Sequence, residues 1–275
     1  MDDSRVLQLS AALFGLIVGS FLNVCISRLP EHLSVVSPRS HCPACQHPIA
    51  WYDNIPVLSF FLLRTRCRYC GARISWRYLV VELATSLLFL GVVYAFGFSL
   101  ETFKWLVFGC LMLTLAFTDA ETQLLPDVLT IGGTFTGLLL SLIVPLHDPF
   151  TGLLFGGLEH PLPSLLNSAS GALSLSVPFA TFGFAYCRFR KILPPGWGDV
   201  KLLALMGSFL GTEQGLIASI VGMISGSVIG LGYIVGTGKN PRLTTLPLGT
   251  FLCGAGILVQ FWGPQITAWY WNRSL

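Results

Sequence analysis

Apolar runs long enough to cross a bilayer recur along almost the whole chain, with few polar residues between them. Seven such runs cover residues 7–27, 79–98, 103–118, 128–146, 163–186, 215–236 and 246–270. A crossing helix needs about 17–25 apolar residues to span the hydrocarbon core. In lipid every backbone polar group must be satisfied internally, which a helix does unaided. Only 11% of residues are charged against 53% hydrophobic, and the mean hydropathy is +0.71. A net charge of +3 is too small to imply a nucleic-acid partner. The expected fold class is an all-α polytopic membrane protein whose surroundings are the lipid bilayer.

An eighth run, 200–211, is short, and the positive-inside rule decides whether it counts. With eight crossings and the N-terminus outside, 13 of the 16 Lys and Arg residues fall inside; Arg5, Lys104 and Arg273 are the exceptions. Seven crossings would put Lys239 and Arg242 on the wrong side. About eight transmembrane helices are therefore expected, the short one in a thinned or tilted setting. The segment 147–163 carries no Lys or Arg, in agreement with an external loop. Residues 7–27 lack a basic leading region and a small-residue cleavage site, so they are expected to be a retained helix. Asn23 within it is expected to bond a neighbouring helix. Gly222, Gly226 and Gly230, followed by Gly232 and Gly236, are spaced for close helix packing.

Residues 31–77 are the only sizeable polar stretch. They contain Cys42-Pro43-Ala44-Cys45 and Cys67-Arg68-Tyr69-Cys70, separated by 21 residues. Each pair can form a tight knuckle, and together they suit a tetrahedral four-thiolate zinc site. Four thiolates leave no open position, so the one zinc ion is expected to be structural. A loop this short has little core, and the metal would staple it. His41 and His47 are read as solvated, because the shell is already complete. Redox-active or unligated thiols are the alternative. The implied division is a first transmembrane helix (1–30), a cytoplasmic tetracysteine insertion between helices 1 and 2 (31–77), and a transmembrane core (78–275). Within the insertion, Trp51 and Tyr52 suit the headgroup region. The stretch they share with Asn54 is either an interfacial anchor or a substrate or cofactor surface. Glu82, about one turn into the second span, requires a partner and is either structural or part of a site.

Two aspartates carry the chemistry. Asp119 ends the third apolar run, and a carboxylate near hydrocarbon is costly enough to suggest function. Asp199, 80 residues later, opens another run in Gly196-Trp197-Gly198-Asp199. Both fall on the inner side in the derived topology. Two carboxyl groups held together share one proton, so one can take a proton from water while the other donates to a carbonyl oxygen. Gly196 and Gly198 leave room beside Asp199 for an extended substrate backbone. The competing reading is two solvated helix-end aspartates. Asp127, after Pro126, is expected as a helix N-cap or first-turn acid. Lys201 is expected to face lipid headgroups.

These residues together resemble the bacterial type IV prepilin peptidases, the leader peptidase/N-methyltransferases, which are aspartic membrane proteases of the Gly-x-Gly-Asp type. The resemblance is carried, in the family's order, by Gly19-Ser20-Phe21-Leu22-Asn23-Val24, Arg28-Leu29-Pro30, both Cys-x-x-Cys pairs, Asn54-Ile55-Pro56, Val81-Glu82-Leu83, the stretch 118–127, and Gly196-x-Gly198-Asp199. It implies that Asp119 and Asp199 are catalytic, with Glu82, Asp127 and Asn54 as possible supporting residues. The implied substrates are prepilins and pseudopilins of type IV pili and type II secretion, cut after a glycine at the cytoplasmic face of the bacterial inner membrane. It also implies that S-adenosylmethionine supplies a methyl group to the new N-terminal residue. Asp53 and the sequence Leu246-Pro247-Leu248-Gly249 depart from the family's pattern without touching the aspartates. A peptidase without methylation, a proton-coupled transporter using the same aspartates, and a zinc-stabilised scaffold are the other readings.

Overall fold

The computed structural model describes residues 3–146, 161–190, 196–238 and 247–274. Most of the expected outer loop, and Lys191, Lys239 and Arg242 from the charge count, lie outside the described residues. The helices are α1 (Asp3–Arg28), α2 (Leu58–Leu62), α3 (Trp76–Phe96), α4 (Leu100–Thr122), α5 (Asp127–Ser141), α6 (Leu162–Arg190), α7 (Trp197–Thr237) and α8 (Leu248–Ser274). Among the described residues β structure is limited to two isolated bridges, His41 with Pro48 and Arg66 with Arg73. Among the described residues four helices are long and apolar enough to cross a membrane: Ser4–Arg28, Trp76–Phe96, Leu100–Thr122 and Trp197–Thr237. The chain is a multi-pass, all-helical membrane protein. It forms two compact units, Met1–Thr114 and Leu115–Leu275.

In the first unit α1 and α3 run antiparallel at close range. A Cβ on Gly15 would lie 2.8 Å from Ser86 Cα, and one on Gly19 would lie 2.7 Å from Glu82 Cα. Glycine is therefore required at both crossings. One turn further along α1, Asn23 Nδ2 donates to the Tyr78 carbonyl at 3.1 Å; as α1 advances by four residues, α3 retreats by four. This is the inter-helix bond expected of Asn23. Ser86 Oγ reinforces the seam by donating to the Ala12 carbonyl.

The second unit is organised by a reversal inside α7. Gly211 has φ 76° and ψ −174°, a conformation open in practice only to glycine. A Cβ on Gly215 would lie 3.6 Å from Gly207 Cα, whereas residues eight apart in a straight helix are about 12 Å apart. The chain therefore folds back, and α7 is two limbs, one before and one after Gly211. They correspond to the separate runs expected at 200–211 and 215–236, and bring the helical limbs of ten residues or more among the described residues to eight. The first limb packs on α6, where a Cβ on Gly171 would strike the Gly207 carbonyl oxygen and Ser168 Oγ donates to the Ser208 carbonyl. The second limb packs on α8 through Gly222 against Leu252 and Gly226 against Phe251. Gly230, the next in the series, is buried as well, whereas a Cβ on Gly232 or Gly236 would meet nothing within 4 Å.

Candidate active site and metal centre

Asp119 lies in the last turn of α4 and is only 5% exposed. Its Oδ2 accepts the Thr250 backbone N–H at 2.7 Å and lies 3.1 Å from the Thr250 hydroxyl; the Gly249 N–H also donates to the carboxyl. These donors are the first turn of α8, whose N–H groups have no partner within the helix and whose dipole attracts negative charge. Asp119 thus meets the requirement for a partner with a helix end in place of a cation. A Cβ on Gly249 would come within 3.0 Å of the Asp119 carboxyl carbon, so a side chain here would press on that carboxyl.

Asp199 is in the first turn of α7, half-buried, with its N–H donated to the Gly196 carbonyl at 3.2 Å. The Asp119 and Asp199 carboxyl groups lie within electrostatic range of one another, and both act on the buried Cys253 thiol. Leu125 sits between the two sites: a Cβ on Gly198 would be 3.2 Å from its Cβ, and a Cβ on Gly249 would be 3.3 Å from its Cδ1. Gly198 is therefore occupied by a neighbour, while Gly196 opens on free space. Asp127 is the first residue of α5, with Pro126 as the cap. Its carboxylate accepts from Lys201 Nζ at 2.6 Å. Lys201 reaches this acid because α5 and α7 begin side by side. Gly249 and Thr250 were not legible as site residues. Beyond Gly249's place in the stretch 246–249, their sequence signal is a small residue and a hydroxyl two and three positions after Pro247 at a helix start.

Glu82, buried in the first unit, accepts the Val57 N–H at 2.7 Å and is bonded by the Ser20 side chain. It ties the polar loop to α3 beside the Gly19 crossing. Asn54 is exposed at the end of the Trp51–Asn54 turn.

The four sulfurs of Cys42, Cys45, Cys67 and Cys70 all lie within 4.8 Å of one another. A tetrahedral zinc with bonds of about 2.3 Å would hold its sulfurs ~3.8 Å apart; Cys42 Sγ and Cys70 Sγ are 3.8 Å apart. The thiolate set and its spacing fit a metal ion. The two knuckles repeat each other at an offset of 25. Cys42 N–H donates to the His47 carbonyl as Cys67 N–H does to Ala72, and Gln46 N–H donates to Cys42 as Gly71 N–H does to Cys67. Gln46 and Gly71 share a left-handed backbone, φ 59° and 70°. The backbone N–H groups of Cys70 and Tyr69 favour the Cys67 thiolate and draw its pKa down to about 7. His47 is not simply solvated: its ring packs on Tyr69 of the other knuckle, with centroids 3.6 Å apart. Arg68 clamps Asp53, with Nε 2.9 Å from Oδ2. That bond holds the Asp53 carboxyl below its usual range.

Residues 13–96 match the Bacterial Peptidase A24 N-terminal domain, and residues 106–231 match the Type IV leader peptidase family. Curated relatives named prepilin leader peptidase/N-methyltransferase include one from Legionella pneumophila, 33% identical over 96% of this chain and 94% of its own length. Another, from Bacillus subtilis, is 34% identical over 96% of this chain and 97% of its own. One from Myxococcus xanthus is 38% identical over 83% of this chain, which spans 64% of that protein's length. No solved structure gives a significant match. With relatives this similar along nearly their whole length, the chain belongs to the type IV leader peptidase family.

Proposed function

We propose that this protein cleaves the leader peptide from type IV prepilins and pseudopilins, after a glycine, at the cytoplasmic face of the bacterial inner membrane. The observation that carries the reading is that Asp119 and Asp199, on separate helices, lie within electrostatic range of one another. One carboxylate removes a proton from water, and the resulting nucleophile attacks the scissile carbonyl. The other, protonated, donates to the carbonyl oxygen. Collapse of the tetrahedral intermediate expels the new amine, which leaves with a proton, and the leader ends in a free carboxylate. The bonds from α8 fix Asp119, so its orientation is set before substrate arrives. The open space at Gly196 admits an extended backbone beside Asp199. Asp127, through Lys201, positions the start of α7.

The tetracysteine insertion over 31–77 holds one structural zinc ion, while 78–275 forms the protease core. The names of the relatives support a second activity, transfer of a methyl group from S-adenosylmethionine to the amine that cleavage releases. That donor supplies an activated methyl; the order of events follows from the chemistry, because the accepting amine does not exist until the peptide bond is broken.

Incubation of the purified protein with a prepilin-like peptide, with and without methyl donor, tests both parts. Asp119→Asn and Asp199→Asn should each abolish leader cleavage while the protein still accumulates. Normal cleavage by either variant would remove the dyad. A cut product that mass spectrometry finds unmethylated in the presence of donor would remove the second activity alone.

A further inference from the structure

Where α3 begins, three arginines open onto one cavity. It has a volume of about 460 Å³, and Arg64, Arg66, Arg73, Ser75 and Trp76 are on its walls. That is the size of a small-ligand site. Arg66 and Arg73 are bridge partners, directly opposite on the second knuckle. Arg64 joins them through a turn in which Arg64 and Thr65 both take left-handed backbone, φ 49° and 60°.

The three guanidinium groups form no hydrogen bond or ion pair among the described residues, although neighbouring arginines do. Arg28 donates to the Ser34 and Pro38 carbonyls, Arg77 donates to Ser27 Oγ, and Arg68 holds Asp53. The only carboxylates in 31–77 are Glu31 and Asp53, and neither reaches these arginines, so the cavity walls carry concentrated positive charge that only the neighbouring thiolates could offset. The far wall is the start of a membrane span. Ser75 caps α3, and Trp76, the first residue of that span, is 64% exposed. Tryptophan at a span end sits at headgroup level, which puts the guanidinium groups at the depth of lipid phosphates. Guanidinium forks match phosphate oxygens.

We propose that this cavity binds the phosphate of an anionic membrane phospholipid, with Arg64, Arg66 and Arg73 as the donors and Trp76 against the glycerol region. The site lies apart from the aspartates in the chain and is independent of the protease reading.

The test uses full-length protein in detergent, titrated with phosphatidylglycerol or phosphatidylcholine carrying brominated chains, read as quenching of tryptophan fluorescence. Phosphatidylglycerol should bind in preference. Replacing all three arginines by Gln should weaken it roughly fivefold per arginine, about 100-fold together. The triple Lys variant should retain most of the binding, and Arg39→Gln, elsewhere in the same loop, should leave it unchanged. Zinc content is measured on every variant. Equal binding of the two lipids, equal loss with Arg39→Gln, or competition by millimolar inorganic phosphate as strong as by the lipid would overturn the proposal. So would a triple Gln variant that loses zinc while keeping its lipid preference, since the arginines would then serve only to balance the thiolates.

Discussion

All four ligands of the cysteine centre lie between residues 42 and 70, and each knuckle closes through its own backbone bonds. At the aspartate site the bond from Thr250 to Asp119 joins residues 131 apart in sequence, and Asp199 arrives on a third helix. The first arrangement is written into local spacing and needs only a metal to hold it. The second exists only once several helices have packed, and its accuracy depends on small contacts such as Gly249 against a carboxyl group. A local site should therefore fail as a piece of fold, and a dispersed one as a piece of chemistry.

Removing metal should have the largest effect. A chelator, or Cys42→Ser with Cys70→Ser, should withdraw a stabilisation of about 10 kcal/mol if the ion is zinc. Limited proteolysis should then cut within 31–77 while residues 115–275 stay resistant; an intact loop would break the contrast. Next come Asp119→Asn and Asp199→Asn, each expected to abolish leader cleavage, a loss at or beyond the roughly 10⁴-fold upper end for a single acid–base group, with little change in melting temperature. Gly249→Ala should be intermediate. Its methyl would press on the Asp119 carboxyl, which must yield by a few tenths of an ångström; since a misplacement of about 1 Å costs about 10²-fold, a loss of roughly 10-fold is expected. The loss should appear in kcat, with KM nearly unchanged. Lys201→Met should have the smallest effect. The pair with Asp127 is substantially exposed, and such pairs contribute about 0.2–1 kcal/mol. Any loss of cleavage should be a few-fold and should shrink further at high salt.

The same contrast explains what could be read in advance. Two Cys-x-x-Cys pairs specify a tetrahedral site by spacing alone, and Gly71 marked its knuckle's left-handed residue. Gln46, its counterpart, carried no such mark, because the knuckle's backbone bonds impose that conformation on a residue that does not advertise it. The reversal at Gly211 is partly legible: Thr212-Glu213-Gln214 interrupts the apolar sequence there, and the charge count requires a crossing on each side, but nothing in the residue types says that the chain turns back at this glycine. Asp119 and Asp199 stood out as carboxylates at the ends of apolar runs. Gly249 and Thr250 did not, because bonding through backbone N–H groups leaves almost no trace in residue type. The Lys201–Asp127 pair is not legible either, because nothing in the sequence says that α5 and α7 start next to each other. Gly232 and Gly236 continue the spacing of Gly222 and Gly226 but extend past the partner helix.

The bond between Asp119 and the start of α8 has a mechanical side. A 27-residue helix is latched by its leading edge to the tail of α4, and the latch is the same carboxyl group proposed to handle water. Any motion that admits a substrate must therefore either carry both helices as one lever or release the latch, and releasing it would let the reagent swing out of aim.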